Sequence, residues 1–350
     1  MSERLSPFPQ PIRIEHLRQE YEVNPPKIYH SEILPVQGLP ERYIAYNPTI
    51  VPPTAGLAVP PTLLARVEHE DDERSDVWAL HRIGNTWTPN GLRIEGLQDP
   101  HVKKIAIDGE EFFLFDGIRV GEHPKYRSVG ECYYMLYWCV KDLGDIPKTE
   151  PFAYTPPWYK DTPVELDENG LIHVFPRPQK GRWGMGTTCY EACNNLNQLT
   201  DAIEGASPIE DLQQLFDGET VWGGFKDALQ LANDDLIGLG GHVSHYSTLE
   251  NPEEVARGGP LRVYDVASAV FNRKTRTIEG MWIDLTTKDL PDCESKILPN
   301  CHPENLRRVA FGTVWDRLGN GRVRILGGLR DRHMFGVVKE DRFERWEKTA

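Results

Sequence analysis

The chain has 350 residues, with 39 Lys and Arg against 53 Asp and Glu; the net charge of −14 repels a polyanion and argues against nucleic acid as a partner. Mean hydropathy is −0.50, and no apolar run approaches the roughly 18 residues of a membrane helix, which excludes a membrane span. With 30 glycines and 28 prolines, the two residue types exceed their ordinary share of about 12%, which favours turns and short strands and excludes a helical bundle.

Met1 to Glu20 carries Glu3, Arg4, Arg13, Glu15 and Arg18 without the apolar centre of a secretion signal, so the expected location is the cytoplasm. Residues 1–40, with Pro7, Pro9, Pro11, Pro25 and Pro26, read as an extended arm, and residues 41–350 as one domain. Leu63 to Glu68 and Asp76 to Leu80 flank a charged turn at Asp71 to Arg74 and predict a hairpin. His101 to Ile107, Asp108-Gly109 and Glu111 to Phe115 give the strongest hairpin signal in the chain. Tyr133 to Val140 adds an aromatic strand. Leu171 to Phe175, Ala228 to Leu239, Arg262 to Phe271 and Thr277 to Trp282 continue the pattern, and Val309 to Trp315 and Val323 to Leu326 close it around Gly319-Asn320-Gly321. Only Asn194 to Phe216 reads as helical, through Leu196, Leu199, Ile203, Leu212 and Leu215, with a break from Gly205 to Pro208.

The fold class is therefore all-β. Short hairpins permit a sandwich, a barrel or a propeller, and a propeller accounts best for a long chain without a composition shift. Five strand groups begin near Thr62, Asp99, Phe175, Trp222 and Arg308, too unevenly spaced for periodicity to set a blade count. Six cysteines are too sparse for a disulfide scaffold. Cys189-x3-Cys193 and Cys293-x7-Cys301-His302 match no standard zinc spacing, so no metal and no resident cofactor is expected.

The group starts share a property: polar residues among Gly and Pro beside an apolar strand. They are Arg66-Val67-Glu68, Gln98-Asp99-Pro100-His101, Phe175 to Gln179, Trp222 to Asp227 and Gly327 to Asp331. In a propeller the innermost strands line a central channel, where these segments would converge into a pocket of carboxylates, cations and indole faces. That inventory suits carbohydrate chemistry, with an oligosaccharide or small glycoside as the ligand.

Asp99-Pro100 after Leu97-Gln98, then Phe175-Pro176-Arg177, Gly240-Gly241-His242-Val243 and Gly327-Gly328-Leu329-Arg330-Asp331 stand in the order seen in glycoside hydrolase family 130, which the chain resembles from about Tyr43 to Val338. Ala65-Arg66-Val67-Glu68, Phe175 to Gln179 and Trp222-Gly223-Gly224 are similar to the related group containing the protozoan mannosyltransferase/phosphorylases. The resemblance implies a five-bladed β-propeller and inverting transfer or phosphorolysis of β-mannosides, with hydrolysis in some members. It implies Asp99 as the general acid, acting by way of a sugar hydroxyl, and Asp331 as a contact to the donor sugar. It also implies an anion site at Arg177 and His242, with inorganic phosphate as co-substrate.

Read residue by residue, the other candidates each have two roles. Lys180 and Arg182, in the Gly-rich Lys180-Gly181-Arg182-Trp183-Gly184 loop, bind an anion or lie on a solvated hairpin. Arg66 and Glu68 share a strand face and hold sugar hydroxyls or each other. Lys226 and Asp227 follow Gly223-Gly224, where small residues let backbone approach a ligand. Trp222, Trp183 and Trp158 are stacking platforms or core. His245 is a second histidine of the same kind as His242. His101 replaces the arginine of the family's Asp-Pro-Arg and alters an expected substrate contact. A hydrolase would need a second carboxylate, for which Glu68, Asp227 and Glu191 are candidates. The readings that remain are an inverting mannoside enzyme, a non-catalytic sugar-binding propeller that has lost the chemistry, or a structural interaction module. Monomer and homo-oligomer are both open.

Overall fold

A computed structural model describes residues 11–53, 61–180, 186–249, 260–295 and 303–347. Helix α1 (Ile14–Val23) and strand β1 (Ile28–Leu34) come first. A first antiparallel set follows: β2 (Tyr43–Ile50), β3 (Thr62–His69), β4 (Ser75–Ile83) and β5 (Thr86–Ile94). The second set is β6 (Gln98–Ile107), β7 (Glu110–Glu122), β8 (Glu131–Val140) and β9 (Ala153–Tyr154). The third is short, with β10 (Val164–Leu166), β11 (Ile172–Val174), β12 (Cys189–Cys193) and β13 (Ser207–Pro208), and it carries α2 (Leu199–Gly205) and α3 (Glu210–Leu215). The fourth is β14 (Val221–Gln230), β15 (Leu236–Tyr246), β16 (Arg262–Asn272) and β17 (Thr277–Leu285). The fifth is β18 (Arg308–Gly319), β19 (Arg322–Leu329) and β20 (His333–Glu340), completed by β1, which pairs antiparallel with β20. A short parallel contact, Val263 with Arg308 and Tyr264 with Val309, joins the fourth and fifth sets.

Local sequence explains the hairpins. Asp108 and Gly109 take φ of 52° and 80° between β6 and β7, the left-handed pair that a two-residue hairpin needs. Gly319, Asn320 and Gly321 turn β18 into β19 the same way, at 74°, 52° and 71°.

Apolar clusters fill the space between consecutive sets. Leu64 and Val77 meet Phe115 and Trp138 between the first and second. Met135 and Tyr137 meet Val164 and Val174 between the second and third. Phe175 and Tyr190 meet Phe225 and Phe271 between the third and fourth. Val266 and Val270 meet Ile325 and Phe335 between the fourth and fifth, and Val314 and Leu326 of the fifth meet Ala45 and Leu63 of the first. The last contact returns the series to its beginning. Each fully buried Phe or Leu here contributes about 1.5–3 kcal/mol of transfer free energy.

Residues 1–10 of the arm expected over 1–40 lie outside the described residues; from residue 11 on, a helix and a paired strand take the place of an extended arm. Ile14 and Leu17 of α1 are buried in the cluster under β14 to β17, and β1 is a full strand of the fifth set. Ile14, Leu17 and Tyr21 have helical spacing that the surrounding prolines and charges obscure. As expected, Arg308 to Val338 packs beside Tyr43 to Ile50. The first set begins one strand earlier than its expected start at Thr62, and the third two strands earlier than Phe175. Among the described residues, no helix is long and apolar enough to cross a membrane.

Candidate active site

The leading strands of four sets break register. The breaks fall between Tyr46 and Thr49 in β2, Gln98 and His101 in β6, Phe225 and Asp227 in β14, and Gly312 and Val314 in β18. They push Asn47-Pro48, Asp99-Pro100, Lys226 and Thr313 out of the ladders. Proline has no N–H to donate, so Asn-Pro and Asp-Pro cannot continue a ladder, and a bulge re-aims the side chain beside it. Asn47, Asp99, Asp161 ahead of β10 and Asp331 after β19 take φ of 48°, 46°, 49° and 50°. Asn and Asp are the non-glycine residues that best tolerate this left-handed region.

These residues meet. Asn47 Nδ2 donates to Asp99 Oδ1 at 2.7 Å, and Arg66 Nη1 lies 3.4 Å from the same oxygen. Arg66 holds Glu68 Oε2 through Nε at 2.9 Å and Nη2 at 2.8 Å, over the Tyr46 ring at 5.0 Å, and the Tyr46 hydroxyl donates to Glu68 Oε1 at 2.8 Å. A β-carbon on Gly328 would fall 1.9 Å from Asn47 Oδ1, so glycine there makes room for the group that holds Asp99. The charge of Asp331 acts on the Tyr46 and Tyr264 hydroxyls.

On the other side, buried Arg177 pairs with Asp161, and His242 stacks on Tyr264 at 5.2 Å and 4° and leans on Phe311 at 4.7 Å. Arg177 Nε and His242 Nδ1 are buried without a hydrogen-bond partner among the described residues. Burial pushes the Lys160 ammonium down, and Arg177 pushes it further. Burial, with Arg177 and Lys160, holds the His242 imidazole well below its ordinary value and hence neutral. Burial raises the Asp99 carboxyl, but Arg66, the Asn47 hydrogen bond, Lys226 and Lys160 outweigh it and leave Asp99 below the usual carboxylate range. Burial is the larger cause at Lys160 and His242, and the repulsion added by Arg177 marks a local concentration of positive charge on this side of the site.

Beneath it lies a buried charge network. Lys226 donates to Asp116 Oδ1 at 3.0 Å; His101 lies between Asp116 Oδ2 at 3.3 Å and Asp227 Oδ1 at 3.2 Å; Lys103 reaches Asp227 at 3.3 Å and also pairs with Glu165. Asp227 Oδ2 accepts from the Trp315 backbone N–H at 2.9 Å, and with Lys103 and His101 outweighing burial its carboxyl is held down to about 2. Burial would lower the His101 imidazole, but Asp116 and Asp227 raise it overall. Its stabilising effect is therefore complete below the ordinary value of about 6.5 and lost as pH rises through the higher folded value. The gap in urea midpoint between the parent and His101→Gln is expected to be wide at pH 6 and to shrink at alkaline pH; a constant gap would mean that the ring is not charged.

The structure brings Asp99, Arg66, Glu68, Lys226, Arg177, His242 and Asp331 together through these contacts and fields. It corrects others. His101 and Asp227 are buried and paired with each other and with the network below the site, which assigns them to its support. Trp222 is buried, with Nε1 donating to the Tyr264 hydroxyl at 3.1 Å, so it backs Tyr264 and offers no platform. Lys180 is exposed and lies 3.6 Å over the Trp158 ring. Arg182 and Trp183 lie outside the described residues. His245 lies 2.6 Å from Arg18 Nη1, and Glu191 Oε1 accepts from the Ala192 N–H at 3.1 Å. Gly223 and Gly224 admit the protein itself: β-carbons there would meet Phe216 Cζ at 2.5 Å and Arg177 Cδ at 2.2 Å. Among the described residues, no group of three or more His, Cys, Asp or Glu is placed to hold a metal.

Gly224→Ala is accordingly expected to displace Arg177 and weaken inorganic phosphate binding by about tenfold or more, measured calorimetrically. Arg177→Lys, which keeps Gly224, should do the same; unaltered phosphate affinity in both would remove Arg177 from the anion site.

Sequence reading missed Tyr46, Asn47, Lys160, Asp161, Asp116 and Tyr264. Asn47-Pro48 repeats the Asp99-Pro100 pattern and was a usable signal; the others gave none.

A family model described as a protein of unknown function, DUF1861, matches residues 20–345. The chain belongs to that family. No curated protein sequence matches it. Among solved structures it is similar to a mannose phosphorylase from Leishmania mexicana in complex with phosphate ion, at 23% identity and TM-score 0.75, over 95% of this chain and 94% of that one. It is similar to a GDP-Man-dependent mannosyltransferase from the same organism, at 23% identity and TM-score 0.73, over 95% of each chain. A β-1,2-mannobiose phosphorylase from Listeria innocua, in its mannobiose complex, shares 13% identity at TM-score 0.57 over 90% of this chain and 96% of that one. At these identities the likeness is one of fold, and it falls on the same groups of proteins that the ordered motifs resemble.

Proposed function

We propose that the chain is a five-bladed β-propeller enzyme that cleaves β-linked mannosides with inversion, by phosphorolysis to mannose 1-phosphate. The blade count rests on five four-stranded sets whose apolar contacts run from each to the next and from the last to the first. The neighbours of known activity, a mannose phosphorylase, a mannosyltransferase and a mannobiose phosphorylase, support the substrate class.

One observation carries the choice of phosphorolysis. Three carboxylates of the group are paired with cations, Glu68 with Arg66, Asp116 with Lys226 and Asp161 with Arg177, whereas Arg177 Nε and His242 Nδ1 are unpartnered among the described residues beside Lys160. Those three paired carboxylates are poor bases for activating water, and the two unpartnered nitrogens offer a binding site for an anion. In the reaction, a phosphate oxygen held there forms the new bond to C1 as the glycosidic C1–O bond breaks on the opposite face. The leaving oxygen takes a proton that originates on Asp99 and passes through a sugar hydroxyl. Bound phosphate offsets Lys160 and Arg177, which raises the Asp99 carboxyl toward the proton-bearing form the step needs. His101, the feature behind the non-catalytic reading, is occupied in the buried network and no longer argues for lost chemistry.

The test is incubation with a panel of β-mannosides and other glycosides, with and without inorganic phosphate, reading free sugar and sugar 1-phosphate. Sugar 1-phosphate formed only with phosphate is the expected result. Release of free sugar indifferent to phosphate would transfer the reading to hydrolysis.

A further inference from the structure

A cavity of about 310 Å³ opens between α1, the turn after β17, the start of β18 and the end of β19, and it shares no residue with the group around Asp99. Its wall carries Arg18, Lys288, Arg307, Arg308 and Arg330 against two carboxylates, Glu22 and Asp265. In a chain of net charge −14, that concentration of cations requires a reason. Arg330 is fixed, with Nε donating to the Arg307 carbonyl at 3.0 Å and Nη2 to Asp292 Oδ1 at 2.8 Å. Lys288 and Arg307 are exposed, and their side chains make no hydrogen bond or ion pair with a described residue. Cations from four separate segments around one hollow match a tetrahedral polyanion, which accepts from several directions at once. Asp265, 3% exposed, and the Thr287 hydroxyl add partners for sugar hydroxyls on the same wall.

We infer that this cavity is a second anion site, one that takes a phosphoryl group, either free or carried on a hexose. It stands apart from the proposed phosphorolytic centre and does not depend on it. The experiment is calorimetric titration of the full chain at low ionic strength with inorganic phosphate, mannose 1-phosphate and mannose. Three proteins are compared: the parent, Lys288→Ala/Arg307→Ala, whose changes fall on exposed side chains, and Arg177→Lys. The expected result is a phosphate-dependent event that the double variant weakens by at least about tenfold and Arg177→Lys leaves intact. Tighter binding of mannose 1-phosphate than of phosphate assigns the hexose-borne form, and equal binding assigns free phosphate. Parent-like binding in the double variant, equal binding of uncharged mannose, or loss of all phosphate binding in Arg177→Lys would each overturn the inference. Phosphate binding lost only in the double variant would keep this site and sink the central one.

Discussion

Asp99→Asn is expected to lower turnover on the best mannoside by about a hundredfold to ten-thousandfold, the usual cost of losing general acid catalysis, while product still binds. The asparagine keeps the shape and can still meet Asn47 and Arg66, so the loss reports the missing proton and not a collapsed bulge. The parent protein supplies a second readout. Without phosphate, Arg66, Asn47, Lys226 and Lys160 outweigh burial and hold Asp99 below its ordinary range, so its acid form is scarce at neutral pH. Phosphate beside Lys160 and Arg177 offsets part of that field. The alkaline limb of the pH–rate profile should therefore move upward as phosphate saturates, and vanish in Asp99→Asn. Undiminished turnover in the variant would eliminate the assignment.

The sequence disclosed the site where a bulge leaves a chemical mark. Asp99-Pro100 declares its own departure from the ladder because proline cannot donate, and the charge beside it is then free to turn inward. At Lys226 the same event is silent. Gly223-Gly224-Phe225-Lys226-Asp227 reads as a regular strand, yet one extra residue at Lys226 flips the alternation and separates two charges that looked equivalent: Lys226 goes to Asp116 and Asp99, Asp227 to His101 and Lys103. Asp116 was hidden because it continues the apolar run Phe113 to Phe115, where nothing marks a buried acid. Lys160 and Asp161 lie in an irregular segment whose path depends on packing against Arg177, a contact far away in sequence. For the fold, hairpins with their own turn chemistry were legible, whereas β1 was not, because its partner β20 lies at the other end of the chain and no local signal links them.

Lys226→Met should destabilise the protein by about 3–5 kcal/mol, the cost of breaking a buried ion pair by removing one partner. Lys226 is 1% exposed and its ammonium is 3.0 Å from Asp116 Oδ1; methionine fills similar volume, so the loss is of charge more than of packing. Asp116 would retain only His101, which Asp227 also claims. In the parent, burial raises the Asp116 carboxyl but Lys226 and His101 outweigh it and hold it below the ordinary range, so the stabilisation is present above about 3.9 and is lost as pH falls through the lower folded value. The deficit of the variant should accordingly be full at neutral pH and shrink on acidification. Lys226→Met/Asp116→Asn separates charge from structure: with both partners neutral and the shape kept, most of the deficit should return, because replacing a whole buried pair is often close to neutral. Denaturant midpoints of the two variants at pH 7 decide it. A double variant no more stable than Lys226→Met would show that the Lys226 stem packs the floor of the site, and that its charge contributes nothing to holding Asp116 in place.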